Sequence, residues 1–456
     1  MSAAGTRRAA ILGGGVIGGG WAARFLLNGW DVALFDPAPG AADRLGSVLD
    51  AARRSLPMLY DRALPPEGRL DVVASVAEAC AEAAWVQESV PERLDAKHAV
   101  LAEARAAMAP GAVLASSTSG FTPTVLGHGA IVAHPFNPVY LLPLVELVGP
   151  DTATAAGILR GMGMYPLEIA AEIDAHVADR LLEAVWREAL WLVHDGVATT
   201  AQIDEAIRMG FGLRWAQMGL FETYRLAGGP EGMAHFLRQF GPALQWPWTR
   251  LTDVPDLDEA LVSRIAAQSD AQSGHLPLDD LARRRDDALV AILRGLRRRG
   301  QGAGTVVARH EAALPAPTGP VTVRRDVPVT WTDWNGHMNE GRYGQVFSDA
   351  ADAVLSRADA MPRDGDDWSF YTVETKIAYR AETHAGDGIA VDTEVRRADG
   401  KVLALRHVMR RGSTVLAECD QVLVHVRRGA GRAVPMPDAM AARLLRALDP
   451  PAPSSG

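Results

Sequence analysis

Residues 8 to 36 read RAAILGGGVIGGGWAARFLLNGWDVALFD. Ala9 to Leu12 is a short apolar strand, and Gly13, Gly14, Gly15, Val16, Ile17 and Gly18 follow it as G-x-G-x-x-G. Trp21 to Asn28 has helical character, Gly29 ends it, and Asp31 to Phe35 is a second strand closing on Asp36. The glycines permit a tight turn and a close approach of backbone to a pyrophosphate, and the helix start behind them favours negative charge. Asp36 lies 23 residues beyond Gly13, near the offset expected of a carboxylate that takes a ribose 2′-hydroxyl. Such a carboxylate repels a 2′-phosphate, which selects NAD over NADP. A glycine pattern alone is a weak signal. Strand, turn, helix, strand and acid in this order point to a dinucleotide site, with a glycine-rich turn in a non-binding α/β unit as the lesser reading.

Outward from there, Ala41 to Arg69 reads as helical, Val72 to Ala74 and Trp85 to Glu88 as strands, Pro91 to Met108 as a helix and Val113 to Ser116 as a strand. Strands alternating with helices predict a mostly parallel sheet. Ligands gather at the carboxyl ends of its strands, where Ser119 and His134 both fall. Residues 131 to 148 read IVAHPFNPVYLLPLVELV and place His134, Asn137 and Glu146 in an apolar, proline-broken setting. A buried carboxylate needs a partner. A histidine whose orientation it fixes can serve as general base. For either residue alone, separate satisfaction at a strand end is the simpler reading; the neighbouring motifs favour the pair.

The chain has 456 residues, 48% hydrophobic and 22% charged, with net charge −9. That length calls for two or three domains, and the negative charge argues against nucleic acid as a partner. Cys80 and Cys419 are the only cysteines and have no metal or redox spacing, which fits a cytoplasmic location and no metal site. Arg7 and Arg8 before an apolar run resemble a signal peptide, but the run is glycine-rich. Prolines at 110, 123, 135, 138 and 143 cut the uncharged stretch from Ala106 to Val145, so no membrane span is expected.

The order GGGVIG, Asp36, PERLDAK, SSTSG, HPFNP and LVELV resembles the 3-hydroxyacyl-CoA dehydrogenase family over roughly residues 8 to 250. The resemblance implies a Rossmann domain over 1–172 and an all-α substrate and dimerisation domain over 173–310. It implies that His134 takes the substrate hydroxyl proton, Glu146 holds the imidazole, Ser119 bonds the substrate oxygen and Asn137 supports cofactor or substrate. Glu92 and Lys97 match family positions near the nicotinamide ribose. Homodimers follow from the family as well. The chain departs from the pattern in three places. Ser117 replaces the asparagine of N-T-S, the loop from Ser119 to His134 is short, and Asp179 replaces the asparagine of N-R-L-L. A fixed negative charge suits a cationic substrate better than an acyl-CoA.

Asp179, Glu183, Trp186 and Leu190 share one face of a helix predicted over Asp179 to Asp195. Five of the 11 tryptophans lie at 186, 191, 215, 246 and 248, with Phe211, Phe221 and Tyr224 among them. A core and dimer interface explains most of these. Aromatic faces with carboxylates also bind quaternary ammonium groups, which makes Asp179, Trp186, Trp215 and Phe221 candidate substrate contacts. FGLRWAQMGLFETYRLAGG and HPFNPVYLLPLVE resemble the L-carnitine dehydrogenase branch. Arg180, Arg187 and Arg214 are candidates for the substrate carboxylate.

Glu311 to Pro320 is Pro- and Ala-rich, which predicts a linker over 311–322. Alternating strands follow, with one helix from Tyr343 to Arg357; a helix wrapped by a long antiparallel sheet is the α+β hotdog arrangement, expected over 323–428. Asp333, Asn335, His337 and Asn339 form D-x-N-x-H-x-N, similar to hotdog acyl-CoA and acyl-carrier-protein thioesterases, and Tyr379 to Glu382 resembles their Y-R-x-E element. The resemblance implies that Asp333 activates water or attacks the thioester and that Asn335 and His337 orient it. Backbone N–H groups near Glu340 would hold the oxyanion. Asp333 is also placed to cap the helix, which would explain that residue but not the motif. The tail, 429–456, is expected to be partly disordered.

Together the halves resemble the bifunctional family that oxidises L-carnitine and hydrolyses betainyl-CoA. A short-chain 3-hydroxyacyl-CoA or L-gulonate-type dehydrogenase with an acyl-CoA thioesterase domain is the alternative. A non-catalytic NAD- or acyl-CoA-binding protein would not need the full catalytic set.

Overall fold

The structure, a computed structural model, describes residues 7–216, 219–227, 236–239, 247–250, 258–261, 263–264, 267, 275, 277–363, 365–429 and 432–449. The chain packs as two units. Met1–Ala52 joins Pro66–His310, and Arg53–Pro65 joins Glu311–Gly456.

In the first unit, β1 (Arg8–Leu12), β2 (Asp31–Phe35), β3 (Leu70–Val72), β4 (Trp85–Glu88), β5 (Val113–Ser116), β6 (Ile131–Pro135), β7 (Leu144–Val148) and β8 (Tyr165–Ile169) form one sheet among the described residues. Their order is β3-β2-β1-β4-β5-β6-β7-β8. β1 to β6 run parallel, and β7 turns back antiparallel to β6. Helices on the faces bury the central strands on both sides, so that β4 and β6 are buried at every residue and β1 at every residue after Arg8, with no alternation between faces. The order reverses between β1 and β4, so a crevice for a dinucleotide opens at the carboxyl ends of those strands.

The helix predicted to Arg69 stops at Ser55, just ahead of Pro57, which has no backbone N–H to continue the helical ladder. Leu56, Met58, Leu59 and Tyr60, each no more than 1% exposed, pack with the second unit although the sequence assigns them to the first domain. Downstream, Ala178–His194 and Leu278–Arg299 are long helices. Ala303–Ala313 is a helix that runs into the stretch expected to be a linker.

The second unit is an antiparallel sheet in the order β10-β13-β12-β11-β9. Its strands are β9 (Val321–Asp326), β10 (Trp368–Tyr379), β11 (Gly388–Asp399), β12 (Val402–Arg411) and β13 (Thr414–Arg427). The helix Glu340–Arg357 lays Tyr343, Val346, Phe347, Ala350 and Val354 into the core. Those positions recur every three or four residues, one helical face. In the tail, Asp438–Leu445 is helical and buries Met440 and Leu444 against the same sheet.

Candidate active sites

Gly13 has φ +101°, and a Cβ there would meet Ser89 O at 2.6 Å. A Cβ on Gly18 would lie 1.8 Å from Gly13 O, so helix and turn need glycine to pack. Gly15 opens onto empty space. The helix Val16–Leu26 has no side-chain cap and no acid in its first turn, which leaves its positive end for an anion. Asp36 follows β2, and its Oδ2 accepts the Gly14 N–H at 2.7 Å. A glycine cradle, an uncapped helix start and a carboxylate beyond β2 fit a pyrophosphate and an unphosphorylated ribose.

The β6–β7 register opposes His134 directly to Glu146. Opposed residues on antiparallel strands point to one face about 5 Å apart at Cβ, and here the side chains meet: His134 Nδ1 lies 3.0 Å from Glu146 Oε2. Glu146 is fully buried. Its Oε1 accepts the Val177 and Ala178 N–H groups at 2.9 and 2.8 Å, so the start of the helix Ala178–His194 is tied to the same carboxylate. Burial pushes this carboxyl up, but the hydrogen bonds from His134, Ala178 and Val177 outweigh it and hold it below the ordinary carboxylate range.

Ser119 follows β5 and is half-buried, in a loop held by Glu92. Glu92 Oε1 accepts the Gly120 N–H and the Thr118 hydroxyl. Ser117, standing where the family has asparagine, bonds Gln87 Nε2 at 2.8 Å and Trp21 Nε1 at 3.2 Å. Lys97 is buried, its ammonium 3.0 Å from Glu88 and 3.1 Å from Glu92. Its ammonium also donates to the Val90 carbonyl at 3.4 Å. Asn137 is exposed.

Asp179 sits in the first turn of Ala178–His194, half-buried. Burial raises its pKa, and it lies within the electrostatic reach of His134, Glu146 and Glu183. The aromatic candidates are not gathered with it. Trp186, Trp215 and Phe221 are exposed by 53%, 43% and 71%, and make no ring contact with one another among the described residues. Trp186 shares the helix Ala178–His194 with Asp179, whereas Trp215 and Phe221 lie on the separate helices Gly212–Trp215 and Leu220–Ala227. Trp246 lies outside the described residues. Arg187 pairs with Glu183 at 3.7 Å, and Arg180 and Arg214 are exposed. The sequence reading passed over His176, which lies against His134, and the Glu88–Lys97 pair; a histidine in the apolar run before Asp179 was the available signal for the first.

In the second unit, a cavity of about 370 Å³ is lined by Asp333, His337, Glu340, Tyr343, Tyr379 and Glu382, among others. The two motifs read from the sequence thus converge on one space. Asp333 Oδ1 accepts the Asn335 and His337 N–H groups at 2.9 and 3.3 Å. It shapes its own loop and does not cap the helix; Asn339 does, its Oδ1 accepting the Gly341 N–H at 3.0 Å. His337 Nε2 stands 3.5 Å from Glu382. Asn335 is exposed and outside the cavity lining.

The NAD-binding domain of the 3-hydroxyacyl-CoA dehydrogenases matches residues 8–166, their C-terminal domain residues 176–260, and the thioesterase-like superfamily residues 327–444. An L-carnitine dehydrogenase/betainyl-CoA thioesterase of Ruegeria pomeroyi is 54% identical over 445 residues, which is 92% of this chain and 91% of that one. The chain belongs to that family. A relative of the same name from Agrobacterium fabrum is 50% identical over 96% of this chain and 94% of its own. An L-carnitine dehydrogenase of Pseudomonas aeruginosa is 49% identical over 63% of this chain and 93% of itself. Among solved structures, an NAD-dependent 5-formyl-3-hydroxy-2-methylpyridine 4-carboxylic acid 5-dehydrogenase superposes with TM-score 0.55 at 27% identity, over 64% of this chain and 98% of that one. The first domain is a Rossmann NAD-binding domain, the helical domain of the dehydrogenases follows, and the last domain is thioesterase-like with a hotdog sheet.

Proposed function

We propose that this chain oxidises L-carnitine at C3 with NAD, giving 3-dehydrocarnitine, and hydrolyses betainyl-CoA to glycine betaine in its second unit. The observation that carries the first half is the His134–Glu146 pair, opposed across β6 and β7 and within electrostatic reach of Asp179. His134 presents Nε2 to the hydroxyl, since Nδ1 is engaged, and takes its proton. Glu146 fixes the ring and offsets the imidazolium that forms. The Ser119 hydroxyl bonds the substrate oxygen. NAD, when bound, accepts the hydride. Asp179 supplies the negative charge for the trimethylammonium group, and of the aromatic candidates Trp186, Trp215 and Phe221, Trp186 shares its helix, two turns on, and can offer a ring face to it. Purified protein with NAD should form NADH with L-carnitine; NADH from 3-hydroxybutyryl-CoA and none from carnitine would favour the acyl-CoA reading instead.

Asp333 activates water or attacks the thioester, with His337 and Asn335 orienting it. Asp333→Ala should lower betainyl-CoA hydrolysis by about 10²-fold or more and leave carnitine oxidation unchanged; hydrolysis within a few-fold of wild type would remove Asp333 from the mechanism. The division of labour follows residues 1–172, 173–310 and 323–428, except that residues 53–65 pack with the last of these.

The chain works as a cytoplasmic homodimer. Two observations support the dimer: Leu181, Leu182 and Trp186 are more than half exposed on one helix, and an apolar groove of about 430 Å³ runs between it and Ile203, Ile207 and Phe211. No described helix is long and apolar enough to cross a membrane. Light scattering on the eluted protein measures the assembly; a single-chain mass would refute it.

A further inference from the structure

His176 precedes the helix Ala178–His194 and is 0% exposed. Its ring lies against that of His134, with centroids 5.6 Å apart. Its Nε2 is 3.1 Å from the Thr118 carbonyl oxygen. A carbonyl only accepts, so Nε2 carries a proton. Nδ1 is buried with no hydrogen-bond partner among the described residues. A second proton there would be an orphaned buried donor, so the ring is the neutral Nε2–H tautomer. Burial lowers the pKa of this imidazole most; the Thr118 bond opposes that, His134 adds to it, and Glu146 and Asp179 oppose it, the net direction being down.

The backbone is unusual as well. Ala175 and His176 have φ of +59° and +51°. Two consecutive non-glycine residues in the left-handed region are strained and persist only where surrounding contacts hold them. Those contacts lead to both arms of the dehydrogenase site. The Ala175 N–H donates to Gly120 O at 3.2 Å, and His176 Nε2–H donates to Thr118 O. On the other side the Val177 and Ala178 N–H groups donate to Glu146. Residues 175 to 178 therefore grip the Ser119 loop with one hand and the carboxylate behind His134 with the other.

We propose that His176 is a positioning residue for alcohol oxidation, its Nε2–H holding the Thr118 carbonyl, and with it the Ser119 hydroxyl, in register with His134. The proposal rests on the reading of His134 as the base. A neutral ring suits the place: a cation 5.6 Å from His134 would oppose the imidazolium formed when it takes the substrate proton.

The test compares wild type, His176→Phe, His176→Gln and His134→Ala with whichever 3-hydroxy substrate the wild type turns over. Phenylalanine keeps a buried ring and loses the donor. Glutamine sets an amide N–H near where Nε2 stood. His176→Phe should lower kcat by about 10- to 100-fold, the scale of an ångström of misplacement, with KM for NAD within about twofold. His176→Gln should recover to within about threefold of wild type. A purely packing role would shift thermal stability and NAD binding in both variants and would not distinguish glutamine from phenylalanine. Should the phenylalanine variant not fold, His176→Asn, too short to reach Thr118, takes its place. Near-wild-type kcat in the donor-less variant, or an equal loss in the glutamine variant, overturns the proposal. Turnover retained in His134→Ala topples the base itself; turnover lost there but kept in His176→Phe topples only the positioning role.

Discussion

His134→Ala should lower kcat for alcohol oxidation by about 10²- to 10⁴-fold, the span that positioned general bases supply, while NAD still binds. The separation follows from the architecture. The cradle for the dinucleotide is built from β1, the helix after it and Asp36, whereas His134 comes from β6 and, among the described residues, its side chain meets Glu146 and the rings of Phe136 and His176. NADH formation reads the first quantity and fluorescence titration of NAD the second. Turnover within about tenfold of wild type would mean that another group takes the proton; loss of NAD binding would mean that the substitution had disturbed the sheet.

Lys97→Met is expected to destabilise the first unit by about 3–5 kcal/mol, because it leaves the fully buried Glu88 carboxylate without its cation. What remains to Glu88 is the Ser116 hydroxyl and the Val90 N–H at 2.8 Å. Pairing the change with Glu88→Gln should return part of that stability, since the uncompensated charge is gone. Urea unfolding of the three proteins gives the comparison. A loss below about 1 kcal/mol in the single variant would show that the pair behaves like one at the surface. Activity offers a second reading, because Lys97 also steadies Glu92, which holds the Ser119 loop through Thr118 and Gly120.

Much of the dinucleotide half was legible because its signals are local. Gly13 to Gly18 and Asp36 need only a strand, a turn and a helix to do their work, and each sits where its spacing placed it. His134 and Glu146 were legible for a related reason: 12 residues apart, they are joined by a single reversal of the chain, and the register does the rest. The hotdog motifs at Asp333 and Tyr379 were each legible as motifs, and the fold brings them to one cavity. What stayed hidden depends on distant packing. Nothing local tells that Trp186, Trp215 and Phe221 face outward, because apolar periodicity marks a face without saying what covers it. The role of His176 depends on a left-handed backbone that an alanine and a histidine do not announce. Lys97 was read by resemblance as lying near the nicotinamide ribose, and nothing in its own helix tells that Glu88, from β4, meets its ammonium.

The departure of residues 53–65 to the second unit means that the fusion is a splice rather than a tandem. The polypeptide passes from one unit to the other after Ala52, returns at Pro66, and leaves for good after His310. A chain stopped after His310 would lose the residues that pack with Leu56, Met58, Leu59 and Tyr60, and those four would meet water as a sticky apolar loop. Gaining or shedding the thioesterase half therefore demands rewriting a dozen or so residues far upstream of the junction, and that stretch is where ancestry of the fused and unfused forms should be written most plainly.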